Sequence, residues 1–454
     1  MKIWKISMIV MALIIVMTWA PIIFGAVSAE EAAKLGKTLT HVGAEMDGNK
    51  EGTIPPYTGG LTKAPANYKP GSGVRPDPFA AEKPLFSINA QNMSQYADRL
   101  TDGTKAMMKK YPTFRIDIYK TQRTVAYPDV VIRNTAKNAQ RAKTYNGGLS
   151  ISGARAGVPF PIPKDGYEVM WNHLTSFRGR AICFRIHVFV ADNSGRLILM
   201  SAYDAYEEFP YYDEDETRYD ANVYFKTKWV TFAPERRVDE SGIVIDKINM
   251  YEEPRIAYQY LPGQRRLKLA PEFSFDCPSF SNAGTGIMDE FYGFHGSMER
   301  YNMKLIGKKE IYIPYNTYRF SYAPKREEVC GPRHLNPDYV RWELHRVWVV
   351  EGTLKSGQRH IYPKRLFYTD EDSWNVSVGE DYDAKGYLVK VNFPMQAPSY
   401  DVPASNPSCM VGYNLNKGMY HLDMWPGEDG YVRNIEPRPQ REWAPQTLVG
   451  RGIR

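Results

Sequence analysis

The chain lacks most of the residue patterns by which enzymes announce themselves. Its four cysteines, Cys183, Cys277, Cys330 and Cys409, are scattered over 454 residues and none forms a CxxC pair. Thiol–disulfide catalysis and c-type haem attachment therefore have no motif to rest on. No HExxH, GxSxG, Walker loop or Rossmann glycine pattern occurs. Gly71-Ser72-Gly73 opens no predicted helix and so is no phosphate cradle. No repeat of roughly 20 to 50 residues recurs, which excludes solenoids and propellers. Beyond the first 25 or so residues, no apolar run is long enough to cross a bilayer as a helix. Positive charge is only mildly in excess, with 58 basic against 51 acidic residues. That balance is no nucleic-acid signature.

Aromatics are abundant: 32 Tyr, 19 Phe and 9 Trp make up 13% of the chain. Such residues fit pleated, half-buried surfaces. With 35 Gly and 32 Pro, many turns and few long helices follow. The densest β signal is a hairpin of residues 340–351 and 360–369, turning at Lys355-Ser356-Gly357-Gln358. On its first run Val340, Trp342, Leu344, Trp348 and Val350 alternate with Arg341, Glu343, His345 and Glu351, so one face is expected to be buried. Arg346 breaks the alternation, which predicts either a β-bulge or a cation at a cavity mouth. Further strands are expected at 114–118, 182–190, 197–206, 223–232, 243–250, 256–261, 265–269, 301–306, 310–313, 376–378, 388–393, 411–415 and 419–424. Short turns such as Asp192-Asn193-Ser194-Gly195 join several of them into an antiparallel meander.

Helices are expected at 92–110, at 130–142, and at 166–178 behind an Asp165 cap. A sheet with so many strands must curl. The fold class that results is mainly β with α: a half-open antiparallel barrel covered by helices. Its domain spans residues 84–436. An extended arm, 30–83, precedes it and a polar tail, 437–454, follows. Residues 1–29 read as a cleavable signal peptide: Lys2 and Lys5, an apolar run, Pro21, and the small residues Val27-Ser28-Ala29.

Export permits disulfides, and three pairings of four cysteines exist. Cys277 with Cys330 is the first choice because both flank Pro-containing turns; four free thiols is the alternative. His334, His345 and His360 are close enough in sequence to meet across the central hairpin, but dispersed histidines on a polar face point to surface residues, and no metal site is expected. The acidic loop Asp213-Glu214-Asp215-Glu216 with Asp220 lacks the EF-hand spacing. Lys308-Lys309 and Arg265-Arg266 read as charged strand edges.

Several tracts resemble a known family. They include DGNKEGTIPPYTGGLT from Asp47, DPFAAEKPLFSI from Asp77, NMSQYADRLTDG from Asn92 and GVPFPIPKDG from Gly157. LPGQRRLKLAP from Leu261, GKKEIYIPYNTYR from Gly307, PRHLNPDYVRWELHRVWVVEGTL from Pro332 and RHIYPKRLFYTDEDSW from Arg359 continue the match. The family is a group of exported bacterial proteins labelled outer-membrane lipoprotein-sorting proteins, with a LolA/LolB-like fold. The resemblance implies a half-open barrel under helices, a periplasmic location with possible outer-membrane association, and companionship with RND-type exporters and an outer-membrane partner. It supplies no catalytic residue and no cofactor. The expected function is a non-enzymatic periplasmic carrier or chaperone for lipid, lipoprotein or another hydrophobic molecule. The alternative is an accessory protein that binds an exporter or outer-membrane assembly. Trp171, Phe177, Trp342 and Trp348 are the expected apolar lining, Arg346 the expected cation at its mouth.

Overall fold

The computed structural model describes residues 26–214, 220 and 222–451. The predicted signal peptide, but for its last residues, lies outside them, as does the middle of the acidic loop. Short pieces come first: β1 Phe86–Ile88, β2 Ile116–Ile118, and the small hairpin of β3 Lys143–Tyr145 with β4 Ser150–Ser152. A first meander follows, made of β5 Ala181–Ala191, β6 Leu197–Glu208, β7 Val223–Ala233, β8 Ser241–Lys247, β9 Ile256–Leu261 and β10 Arg266–Leu269. The second meander is β11 Tyr301–Pro314, β12 Arg341–Leu354, β13 Lys364–Asp370, β14 Val376–Tyr382, β15 Leu388–Gln396, β16 Pro407–Asn414 and β17 Met419–Trp425, with β18 Tyr431–Asn434 after it.

Both meanders belong to one sheet of sixteen strands, because β17 pairs antiparallel with β5. The C-terminal meander is thus spliced onto the front of the N-terminal one. Its two ends stay apart: β10 pairs β9, and β11 pairs β12. The protein is therefore mainly β with helices, and its sheet is not closed, as a half-open barrel requires.

The central hairpin forms in the expected sense, with Val347 opposite Asp370 and Thr353 opposite Lys364. Its surroundings differ from the expectation of one buried face. Arg341, Glu343 and His345 are as buried as Trp342 and Leu344, because residues 119–127 and part of the 30–83 segment cover their side. Thr121 Oγ1 donates to Leu344 O, and Gln122 N donates to Glu343 Oε2. Nor does β12 bulge at Arg346, which pairs in register with Glu310. The slip lies on the neighbouring strand, between Leu305 and Gly307, where Gly307 takes φ +137°.

Two predicted helices are cut short by side chains that take over backbone groups. The 92–110 stretch is a 3-10 turn, Met93–Arg99, and a separate α-helix, Asp102–Lys110. Between them Leu100 is extended and Thr101 Oγ1 accepts from Thr104 N, which starts the helix afresh. The helix behind Asp165 runs only from Gly166 to Leu174. Its end coincides with Thr175, whose hydroxyl donates to Trp171 O at 2.7 Å. The 130–142 prediction falls on an α-helix, Asp129–Arg141.

Residues 30–83 wrap over this body. Ala44, Ile54 and Arg75 are fully enclosed. The Trp374 indole donates to Val42 O at 3.0 Å, and Arg75 Nε pairs with Asp401 Oδ1 at 2.6 Å. Gly43 sits in the left-handed region, and a Cβ there would lie 1.8 Å from Pro161 O. Gly43→Ala should therefore lower stability by about 2–4 kcal/mol, whereas Gly52→Ala, which meets only open space, should cost about 1 kcal/mol. Urea unfolding of the two variants checks this; equal midpoints would mean that the 30–83 segment does not pack as described.

Candidate functional site

Residues 270–300 link the two outer strands of the sheet, β10 and β11. The link passes through the concave side. Asp289 meets Arg365 of β13, Tyr292 meets Glu207 of β6, and His295 meets Asp246 of β8. Eight inter-strand steps separate β13 from β8, about 38 Å in a flat sheet. Asp289 lies in the 3-10 stretch Met288–Gly293 and His295 just beyond it, and His295 N donates to Asp289 O at 2.8 Å, so the two are neighbours in space. Only a curled sheet brings both strands within reach of so short a segment.

The segment fills most of the hollow and is tied to its wall by buried charge. Arg365 Nη1 pairs with Asp289 Oδ1, and His360 Nε2 with Asp289 Oδ2, both at 3.0 Å. Arg255 grips Asp246 at 2.6 and 2.8 Å, and His295 Nε2 lies 2.9 Å from the same carboxylate. Burial by itself would raise both aspartates, yet Arg255 with His295, and Arg365 with His360, hold them at about 2. Glu290 pairs with Lys390 of β15. Asp423 of β17 accepts from Ser281 Oγ and Asn282 Nδ2, and burial pushes its carboxyl up to about 6. The segment's own backbone bonds close on itself: Ser279 N to Gly286 O, Met288 N to Cys277 O, and His295 N to Asp289 O.

Beside a cleft of about 150 Å³ among Met250, Pro254, Pro271 and Phe275, an apolar cavity of about 70 Å³ remains. Its wall follows from strand periodicity: Tyr203, Ala205 and Glu207 project from one face of β6, and Phe225, Thr227 and Trp229 from one face of β7. Phe280, Met288 and Tyr292 of the 270–300 link roof it. Binding pockets for drug-sized ligands run to roughly 300–1,000 Å³. The space therefore suits a few waters or a small apolar group, and an acyl chain enters only if the roof moves.

The residues expected to line a cavity are placed elsewhere and apart. Trp171 is fully buried, its indole donating to Gly148 O and its ring edge-on to Tyr224. Phe177 packs against Tyr212, Trp342 against Phe393, and Trp348 against Trp374. Arg346 reaches no cavity mouth; it is buried between Glu371 Oε1 and Glu45 Oε2, both at 3.3 Å. Cys277 and Cys330 are free thiols, as are the other two cysteines. The expected pair does not form, since the turns that flank them belong to different layers: Cys277 lies in the 270–300 link, while Cys330 bridges to Leu335 ahead of β12. The three histidines do not converge. His334 bonds Thr113 Oγ1, His345 lies beside Glu343, and His360 holds Asp289. Sequence reasoning missed the 270–300 link altogether. It has no periodicity, and its only signal was polar residues among aromatics.

A family profile matches residues 87–449: DUF1329, a protein family of unknown function. The chain belongs to the DUF1329 family. It is 40% identical over 435 residues, 95% of each chain, to the uncharacterized protein PA3922 of Pseudomonas aeruginosa. Among solved structures it is similar to a DUF1329 protein from Desulfovibrio piger, at 12% identity and a TM-score of 0.41 over 60% of this chain and 92% of that one. It is also similar to a domain assigned to outer membrane lipoprotein sorting from Vibrio parahaemolyticus, at 12% identity and a TM-score of 0.43 over 63% and 98%. Among the described residues of this DUF1329 protein, no helix is long and apolar enough to cross a membrane.

Glu207 provides a handle on the roof. Burial pushes its carboxyl up to about 7, against the pull of Arg178 and of the Tyr292 hydroxyl. The unfolded chain releases that proton near 4.3. Between those values the folded state binds more protons, so this group's contribution to stability falls as pH rises. Glu207→Gln keeps an acceptor for Tyr292 and removes the titration. Its stability relative to wild type should grow by on the order of 1–3 kcal/mol from about pH 4 to about pH 8. Urea melts across that range measure the difference, and a flat difference would contradict the assignment.

Proposed function

We propose that this DUF1329 protein is a periplasmic, non-enzymatic carrier for a hydrophobic molecule bearing an acyl chain. The observation that carries the reading is the apolar cavity on the concave side of an open sheet, roofed by a segment that shares no strand ladder with the wall. Such a roof can leave without breaking the sheet. A long acyl chain costs on the order of 10 kcal/mol to leave in water, at about 0.8 kcal/mol per CH₂, so a carrier must enclose it. The cavity as it stands is too small, and the reading therefore requires residues 270–300 to be displaced by cargo. Ion pairs suit that role: broken by a carboxylate-to-amide change, they loosen the segment without removing apolar wall.

Lipid mass spectrometry on protein taken from its native envelope, with titration of a fluorescent fatty acid, tests this. Wild type should carry an acyl-bearing molecule and bind the probe. Ala205→Trp, which fills the cavity, should weaken binding at least tenfold, and Glu290→Gln should strengthen it by loosening the roof. Protein that carries no lipid and ignores the probe in all three forms would end the carrier reading.

A further inference from the structure

A second polar cluster lies on the covered face of β12, away from the 270–300 link. Its position follows from register. Val347 faces Asp370 across the ladder, so His345, two residues earlier on the same face, is diagonal to Asp370. The turn after β13 then brings Asp372 alongside. Ligand atoms of His345, Asp370 and Asp372 all lie within 4.8 Å of one another, and all three residues are buried.

The partners of these groups are uneven. Glu343 is fully engaged by Arg341 Nε, Asn316 Nδ2 and Gln122 N. Asp370 Oδ2 accepts from Ser373 N at 2.9 Å, but Oδ1 of this wholly enclosed carboxylate has no hydrogen-bond partner among the described residues. His345 Nδ1 is 3.5 Å from it, too far for a good hydrogen bond. The Tyr315 hydroxyl, also wholly enclosed, has no partner among the described residues either. Its ring centroid lies 3.9 Å from that of His345, the planes tilted by 30°, and the carboxylates that act on it most strongly are those of Asp370 and Asp372. Orphaned buried oxygens of this kind call for an occupant.

Charge points the same way. The ion-pair network around His345 holds seven carboxylates: Glu45, Glu82, Glu310, Glu343, Asp370, Glu371 and Asp372. It holds four permanent cations: Arg123, Lys308, Arg341 and Arg346. Asp370 is ion-paired with His345 alone among the described residues, Arg123 acting on it from beyond pairing distance.

We propose that His345 Nδ1, Asp370 Oδ1 and Asp372 form a binding site for one divalent transition-metal ion of the zinc or manganese class, with the Tyr315 oxygen or a water completing the shell. One imidazole and two carboxylates are the donor set such ions take. His345 is already oriented as a ligand is: Nε2 lies 3.2 Å from Glu343 Oε2, the carboxylate support that metal-bound histidines have. Asp372 accepts two bonds from Arg123, at 2.7 and 2.8 Å, yet each carboxylate oxygen retains a second acceptor position. Donors about 2.1 Å from a shared ion in a tetrahedral shell lie about 3.4 Å apart, so the outermost of these atoms must draw in by up to about 1.4 Å as the ion binds. Bound there, the ion would pin the turn after β13 to the middle of β12. The competing state is an imidazolium at His345, held between Glu343 and Asp370.

The purified full chain, stripped with EDTA, is titrated calorimetrically with ZnCl₂ and separately with MnCl₂. One equivalent of at least one ion should bind. His345→Gln and Asp370→Asn should each weaken that binding at least tenfold, and Glu343→Gln by about 10–100-fold. His41→Gln, at an exposed position, should leave it unchanged. In case the buried variants misfold, X-ray absorption on the loaded wild type should show imidazole scattering beside oxygen donors. No saturable binding, binding untouched by His345→Gln and Asp370→Asn in folded protein, or a shell without imidazole would overturn the proposal in favour of the imidazolium.

Discussion

Buried carboxylate–cation pairs inside a curled sheet are the constraint on which the architecture depends. Twist makes a sheet of this many strands curl, and a curled sheet has a concave face to fill. Here much of the filling is the chain's own link between β10 and β11, and what fastens it is charge as well as oil. Asp289 to Arg365 and Glu290 to Lys390 join link and wall, and His295 of the link joins the Asp246–Arg255 pair of the wall, at widely separated strands. Replacing such pairs with well-packed apolar residues is often neutral or stabilising, while losing one partner costs about 3–5 kcal/mol. They are therefore poor glue and good locators: they define one seat for the link and make any other seat expensive.

The order of strands carries the same logic. Two meanders, each built from neighbours in sequence, meet at β17 and β5. That junction puts the outer strands β10 and β11 at opposite edges although they are consecutive in the chain. A connection between opposite edges of a curled sheet must cross its mouth or its interior, and this one crosses the interior. The 30–83 segment helps cover β12 on both faces, Glu82 meeting Arg341 on one and Glu45 meeting Arg346 on the other.

Much of the fold was legible from alternation and turn chemistry. The β5–β6 hairpin turns where Asp192 and Gly195 demand it, Asp192 Oδ1 accepting from Ser194 N and Arg196 N, and the central hairpin forms in the expected sense. What escaped was whatever depends on distant partners. Alternation in β12 promised a solvent face, but Arg341 and Glu343 are satisfied by residues 200 and more positions away in sequence, such as Glu82 and Gln122. Trp171, Phe177 and Trp342 are buried and Trp348 partly so, and composition does not separate a core aromatic from a cavity aromatic. No sequence spacing ties Asp370 and Asp372 to His345; only register sets Asp370 beside it. The 270–300 link has no periodic pattern, so nothing in its sequence revealed that it holds the interior.

Hydrogen exchange across residues 270–300, with and without a bound acyl ligand, addresses the seat of the link directly. In the ligand-free protein the amides of Met288 to His295 should exchange nearly as slowly as those of β6. On saturation with a fatty acid they should exchange at least tenfold faster while β6 stays protected. A link that exchanges as freely as the chain termini in the ligand-free protein, or one that stays protected while ligand is bound, would contradict the view of a filled hollow that opens for cargo.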